Sequence, residues 1–183
     1  MIKIFDNIIP TYLQDFIYDF ITNENLDKNP PYPLFYMKNL TTKNIDVVKN
    51  ESEVGFGSNF YDNNKIMNDG ESLLTPLYLF SVSQKFILKK IFRARTYLQI
   101  PDSCLDKPKI LKPHKDLTHN HYAMIYYVND SDGDTIFYDN KENIIKKISP
   151  KKGRIAFFNG DILHSGSAPT QNLRIVLNYN FLI

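Results

Sequence analysis

Tryptophan is missing from this chain of 183 residues, cysteine occurs once, and only four histidines are present. A lone thiol, Cys104, excludes an internal disulfide and any cysteine-rich zinc or iron–sulfur site. It fits a reducing compartment. Nothing beside it supplies a general base, so it reads as an ordinary loop or core thiol. Net charge is small, +2, too small to argue for nucleic acid or an anionic membrane as partner. The basic pairs Lys89-Lys90 and Lys151-Lys152 read as solvated faces and turns. No apolar run approaches the roughly twenty residues that cross a bilayer, and Asp6 and Asn7 interrupt the start, MIKIFDNIIP, before signal-peptide length. The expectation is a soluble cytoplasmic protein. Gly-rich phosphate loops and a nucleophile elbow are absent too. So are internal repeats and linkers, and the length predicts one domain, 1–183, able to bury a core.

What is present is ordinary globular material, 43% hydrophobic and 23% charged. Ile2 to Phe5 reads as a short strand. Pro10 suits a first helical turn, and Leu13, Phe16, Ile17 and Phe20 follow at helical spacing. Asn23 to Pro33 reads as loop. From Leu34 to Lys65 the pattern is irregular, with Gly55 and Gly57 suggesting turns. A second helix is predicted with Thr75 as N-cap and Pro76 in its first turn. Its buried stripe would be Leu77, Phe80, Ile87, Leu88 and Ile91. After Ile91 the period changes. Phe92 to Ile100, Ala123 to Val128, Thr135 to Tyr138, Ile144 to Ile148, Arg154 to Phe158 and Leu173 to Phe181 read as strands bounded by turn residues. Helices followed by strands predict a mainly β, α+β protein. Helical support (about 1–91) would pack on a largely antiparallel sandwich or barrel of jelly-roll type (about 92–183).

Three of the four histidines fall within "KPHKDLTHNHYAMIYYVNDSDGDTIFYD". In an extended segment, residues i and i+2 point the same way. His114 and Asp116 can therefore offer a nitrogen and an oxygen to one ion. One further histidine completes a 2-His-1-carboxylate face with open positions. His164, at the end of a β segment, is the candidate. His119 and His121 sit in one loop with the pair and are poorly placed for a third corner. His119 is expected to be exposed, and His121 at most to line the pocket. Gly166, Ser167, Pro169 and Asn172 are read as a turn. A hairpin closed there would bring Arg174 nearly opposite His164. A guanidinium inside a barrel needs an anion, and a bidentate carboxylate is its natural partner. Asp130, Asp132 and Asp134 imitate a calcium loop, but Lys141 occupies the twelfth position, so a turn is expected. Arg93, Arg95 and Tyr97 share one strand face. They either line the substrate entrance or show an edge to water.

On these residues the chain resembles the Fe(II)/2-oxoglutarate dioxygenases, and within them the prolyl 4-hydroxylase-like branch with its small bacterial and phage members. The matching positions are His114-Lys115-Asp116, Ile125 to Asn129, the loop Asp130 to Asp134, Gly153, Phe157, His164 and Arg174. The likeness covers the chain from about Arg93 onward. It implies a double-stranded β-helix with His114, Asp116 and His164 holding Fe(II). It implies 2-oxoglutarate as co-substrate, its far carboxylate on Arg174 and Tyr127, with Asn178 beside the iron or co-substrate. O2 would be the oxidant and ascorbate a reductant. The implied reaction is hydroxylation of an unactivated C–H bond with release of succinate and CO2. Asp116 favours hydroxylation, because halogenating relatives carry a small residue there. The implied partner is a peptidyl or amino-acid substrate, with Arg95, Tyr97 and His121 as candidate contacts. A phage-encoded member would act in the host cytoplasm. The rival readings are a non-catalytic jelly-roll binding module and a cupin-type iron enzyme that does not use 2-oxoglutarate.

Overall fold

The computed structural model describes all residues except 25–29, 38–54, 69 and 105. Strand β1 (Ile2–Phe5) opens the chain as its apolar residues predict. Helix α1 (Thr11–Thr22) follows Pro10, whose φ of −58° is already helical in value. The helix buries Ile17, Phe20 and Ile21 and ends at Asn23, in the left-handed conformation at φ 58°. Asn tolerates that conformation better than most residues.

The second helix departs from expectation at both ends. A 3-10 turn, Ser72–Leu74, runs directly into α2 (Thr75–Ser83), so Thr75 is helical and is not a cap. Leu77 and Phe80 are buried as predicted. Lys85, at φ 55°, turns the chain away. Ile87 is therefore 82% exposed, while Ile91 is buried in the strand that follows.

The irregular stretch before it contains three strands, β2 (Phe35–Met37), β3 (Gly55–Asp62) and β4 (Lys65–Ile66). Gly55 and Gly57 lie within β3 and do not make turns. A Cβ at Gly57 would sit 2.5 Å from the Met37 sulfur and 3.2 Å from the Thr96 carbonyl oxygen, so the close approach of neighbouring strands explains the glycine. The loop residues expected at 25–29 and 38–54 lie outside the described part.

The remaining strands are β5 (Lys90–Gln99), β6 (Lys109–Ile110), β7 (Tyr122–Tyr127), β8 (Thr135–Tyr138), β9 (Ile144–Ile148), β10 (Ile155–Asn159), β11 (His164–Ala168) and β12 (Arg174–Leu182). Strands β6 and β11 were not expected; the other six fall within two residues of the predicted segments. Gly166 and Ser167 thus belong to a strand, and His164 begins it.

Two antiparallel sheets result. The larger has the order β1-β10-β7-β12-β5-β3-β2, with β4 on β3, and the smaller has the order β6-β11-β8-β9. Because side chains alternate along a strand, the large sheet is buried on both faces. Met124, Tyr126, Ile155, Phe157, Ile175, Leu177, Tyr179 and Phe181 face one core with α1 and α2. Ala123, Ile125, Tyr127, Ala156, Phe158 and Val176 face the small sheet through Phe137 and Ile148. The architecture is a double-stranded β-helix. Among the described residues, no helix is long and apolar enough to cross a membrane.

Candidate active site

His114 and His164 are brought together by backbone pairing. His114 N donates to His164 O at 2.8 Å, and His164 N donates to His114 O at 3.0 Å. This reciprocal bridge makes the two imidazoles direct cross-strand neighbours, with ring centroids 4.8 Å apart. Asp116 follows two residues after His114. Its carboxylate lies 3.9 Å from His114 Nε2 and 3.7 Å from His164 Nε2, too far for hydrogen bonds. One donor atom from each of the three residues falls within 4.8 Å of the others.

The donors are preset to receive a cation. The Nδ1 atoms of His114 and His164 meet the carbonyls of Lys112 (3.3 Å) and Ile162 (3.0 Å). A carbonyl only accepts, so Nδ1 carries the proton and each Nε2 presents a lone pair. Burial lowers the His164 pKa, against the pull of Asp116, and favours the neutral ligand form. Burial alone would raise the Asp116 carboxyl. The charges of His164, His114 and Arg93 and a hydrogen bond from Asn180 outweigh it and hold the group below its ordinary range. Asn178 Nδ2 reaches both carboxylate oxygens at 3.3 and 3.2 Å, Asn180 Nδ2 reaches one at 2.9 Å, and Arg93 Nη2 stands 3.5 Å away. The residues therefore fit a divalent metal ion.

Beside these donors a cavity extends between the sheets, lined among others by Gln99, Thr135, Gly166, Arg174 and Asn178. Arg174 is only 6% exposed. It does not reach His164 through a hairpin, because β11 pairs with β6 and β8 while β12 pairs with β5 and β7. The two residues line one cavity from opposite sheets. Gly166 lies close by: a Cβ at that position would be in ordinary contact with the guanidinium carbon at 3.5 Å. Arg174 donates from Nε to Gly133 O (2.7 Å), from Nη1 to Gln99 Oε1 (3.2 Å) and from Nη2 to Thr135 Oγ1 (3.0 Å). All three acceptors are neutral. Two of its five N–H groups stay available, and among the described residues no carboxylate pairs with it.

Tyr127 stands one step behind that cation. Its hydroxyl donates to Thr135 Oγ1 at 2.8 Å, and it does not line the cavity. Burial pushes the phenol up to about 12, so it stays protonated. Thr135 accepts from both Tyr127 and Arg174, which leaves its own proton to donate into the cavity. Thr135, Gln99 and Asn180 were missed from sequence. Asn180 had a signal, since it lies two residues after Asn178 on the same face.

Of the candidate substrate contacts, Tyr97 lines the cavity, and Arg95 lies on the same face of β5 in an adjoining groove. His121 lines neither. It is fully buried, with Nδ1 against His119 O at 2.8 Å and its ring under Gly160. The backbone turn into β7, pinned by Gly160 N donating to His121 O, directs the ring into the core. A Cβ at Gly160 would come within 2.1–2.4 Å of that ring. Gly160→Ala should therefore cost about 1–3 kcal/mol by overpacking, read as a lower thermal midpoint, while metal binding persists. Unchanged stability would show that His121 is not wedged in place. His119 is exposed, its ring against Phe92. The acidic loop braces turns: Asp132 accepts from Thr170 and Gln171 ahead of β12, and Asp130 accepts from Lys152 N.

Comparison with known proteins agrees with this arrangement. Residues 103–182 match the family model described as the 2OG-Fe(II) oxygenase superfamily. A search of curated protein sequences finds no match. Among solved structures, the chain is similar to a Pseudomonas putida prolyl-4-hydroxylase, with TM-score 0.63 and 12% identity over 98% of this chain and 91% of that one. A viral collagen prolyl hydroxylase from Paramecium bursaria Chlorella virus-1 gives 0.57 and 13%, over 100% and 96%. A Trichoplax adhaerens prolyl hydroxylase, in complex with a hypoxia-inducible-factor peptide fragment, gives 0.65 and 12%, over 99% and 83%. These likenesses extend the shared fold over nearly the whole chain. Residues 103–182 thus resemble the 2OG-Fe(II) oxygenase superfamily, and the chain shares its fold with these solved structures.

Proposed function

We propose that the protein hydroxylates an unactivated C–H bond of a peptidyl or amino-acid side chain, and that residues 1–183 act as one catalytic domain. In this reading His114, Asp116 and His164 hold the iron. Arg174 and the Thr135 hydroxyl hold the far carboxylate of 2-oxoglutarate, with Tyr127 and Gln99 fixing their orientation. When bound, iron and co-substrate supply, with O2, the oxidising equivalents for hydroxylation, leaving succinate and CO2. Asn178 and Asn180 keep the Asp116 carboxylate ionised and oriented. The cavity walls Ile125, Leu111 and Val176 limit water around the reacting centre.

One observation carries the proposal: a buried guanidinium without a carboxylate partner among the described residues shares a cavity with the His-Asp-His donors. Neither a cupin-type iron enzyme nor a binding module needs that cation. The prolyl hydroxylase neighbours, one bound to a peptide, make a peptidyl proline the first candidate substrate. The test is mass spectrometry of candidate peptides and amino acids after incubation with Fe(II), 2-oxoglutarate and ascorbate, with succinate measured in parallel. Gain of one oxygen with matching succinate is expected. If the Fe(II)-loaded protein bound no 2-oxoglutarate by calorimetry, the proposal would fail.

A further inference from the structure

We propose that the primary substrate of this oxygenase carries a carboxylate, and that Arg95 binds it at the edge of the metal site. The inference rests on the hydroxylase reading above and narrows its substrate.

The placement follows from strand register. Arg95 lies opposite Asn178 of β12 on one side and Asn59 of β3 on the other. Opposed residues of antiparallel strands share a sheet face, and Asn178 is one of the residues that reach Asp116. Arg95 is thus one strand away from the metal-binding carboxylate, on the same face. Tyr97, two residues along, lines both the metal cavity and a groove formed by Phe35, Met37, Asn59, Met67 and Arg95. The groove and the cavity share that wall.

The charge pattern says what belongs in the groove. Arg95 is its only charged lining residue among those described. Its Nη1 donates to a neutral atom, Tyr97 Oη, at 3.1 Å. Its Nε is buried and has no hydrogen-bond partner among the described residues. Arg93, on the same face, has Asp116 beside it and Asp62 opposite it in register. Asp116 is already shared among Arg93, two asparagines and the ion it would bind, and cannot also serve Arg95. Among the described residues, Arg95 has no carboxylate paired with it. A half-buried guanidinium with an unpartnered Nε–H is stabilised best by a carboxylate that takes Nε–H and an Nη–H together. Phe35, Met37 and Met67 offer apolar surface for the hydrocarbon part of the same molecule.

The carboxylate can be the α-carboxylate of an amino acid or chain end, or an Asp or Glu side chain, and paired probes separate these. Protein loaded with Zn(II), which is diamagnetic, and with 2-oxoglutarate is titrated with N-acetyl amino acids and with their amides. A second series sets N-acetyl Asp and Glu amides against their Asn and Gln counterparts. The readouts are calorimetric affinity and the 15N–1H signal of Arg95 Nε, assigned by its loss in Arg95→Lys. An acid of one series should bind and shift that signal, while its neutral counterpart binds at least about tenfold more weakly. Arg95→Ala should weaken acid binding roughly ten- to a hundredfold and leave Zn(II) and 2-oxoglutarate affinity unchanged, with Arg95→Lys in between. Equal affinity for acid and amide overturns the inference. So does undiminished acid binding in Arg95→Ala, or no acid binding at millimolar concentration by wild type that binds both cofactors. If Arg95→Ala does not fold, Arg95→Gln replaces it, and the wild-type difference between acid and amide decides. Wild type that cannot bind 2-oxoglutarate fails at the earlier step and removes the hydroxylase reading itself.

Discussion

His164→Ala should abolish stoichiometric metal binding. The substitution removes one of three donors, and the two that remain come from a single irregular segment. Changing a group that merely orients a metal ligand costs about 10–100-fold in affinity. Loss of the ligand should exceed the upper end of that range. The variant also leaves a void against the rings of Phe137 and Phe158, which lie 6.2 and 4.9 Å from the imidazole. Some loss of stability, about 1–3 kcal/mol, is therefore expected as well. His119→Ala is the control, because His119 is exposed and outside the donor cluster. Calorimetric titration with Mn(II) or Fe(II) distinguishes the outcomes. Wild-type stoichiometry in His164→Ala, or its loss in His119→Ala, would mean that the triad is assigned wrongly.

Arg174→Ala should spare the metal and cripple the co-substrate. The metal donors lie on other segments and make no hydrogen bond to Arg174, so the ligand geometry should stay. The far carboxylate of 2-oxoglutarate would lose a charge-assisted contact worth about 1.5–3 kcal/mol, or roughly one to two orders of magnitude in affinity. The substitution also strips Gly133 O, Gln99 and Thr135 of a buried donor, which should lower the thermal midpoint. Arg174→Lys should lose less, since an ammonium restores the charge without the planar fork. Metal affinity and 2-oxoglutarate affinity, measured separately on each variant, check the split. Parallel loss of both in Arg174→Ala would show that Arg174 supports the fold and has no specific place in co-substrate binding.

The residues that were legible in sequence are those whose chemistry is scarce. With four histidines in the chain, a His-x-Asp pair and a distant late histidine were few enough to enumerate, and the structure brings these three together. The strands rich in β-branched and aromatic residues were legible for the same reason: their pattern has few other uses. Strand β11 was not. Its sequence, HSGSA, carries no large apolar residue, and it is a strand because β8, β6 and the bridge to His114 supply its hydrogen bonds. That omission produced the hairpin expected between His164 and Arg174. The proximity was anticipated, but it arises across two sheets. Thr135 was hidden because a single threonine at the start of a strand is ordinary; only its two incoming hydrogen bonds mark it. The end of α2 was missed because Ile87, Leu88 and Ile91 continue a helical spacing that the backbone abandons at Lys85. Propensity is a weak prior against such tertiary choices.

The alternation along β12 also constrains how this protein can change over generations. Arg174, Val176, Asn178 and Asn180 turn toward the site, whereas Ile175, Leu177, Tyr179 and Phe181 turn toward the helices. Chemistry and scaffold are interleaved residue by residue in one central strand. Substitution at an even position can alter the site while the helical core stays intact. Loss or gain of one residue cannot, because a one-step slip exchanges the two faces completely. It would send the guanidinium into the helical core and an isoleucine into its place. Variation in length is therefore expected in the connections between strands, with β12 changing by replacement.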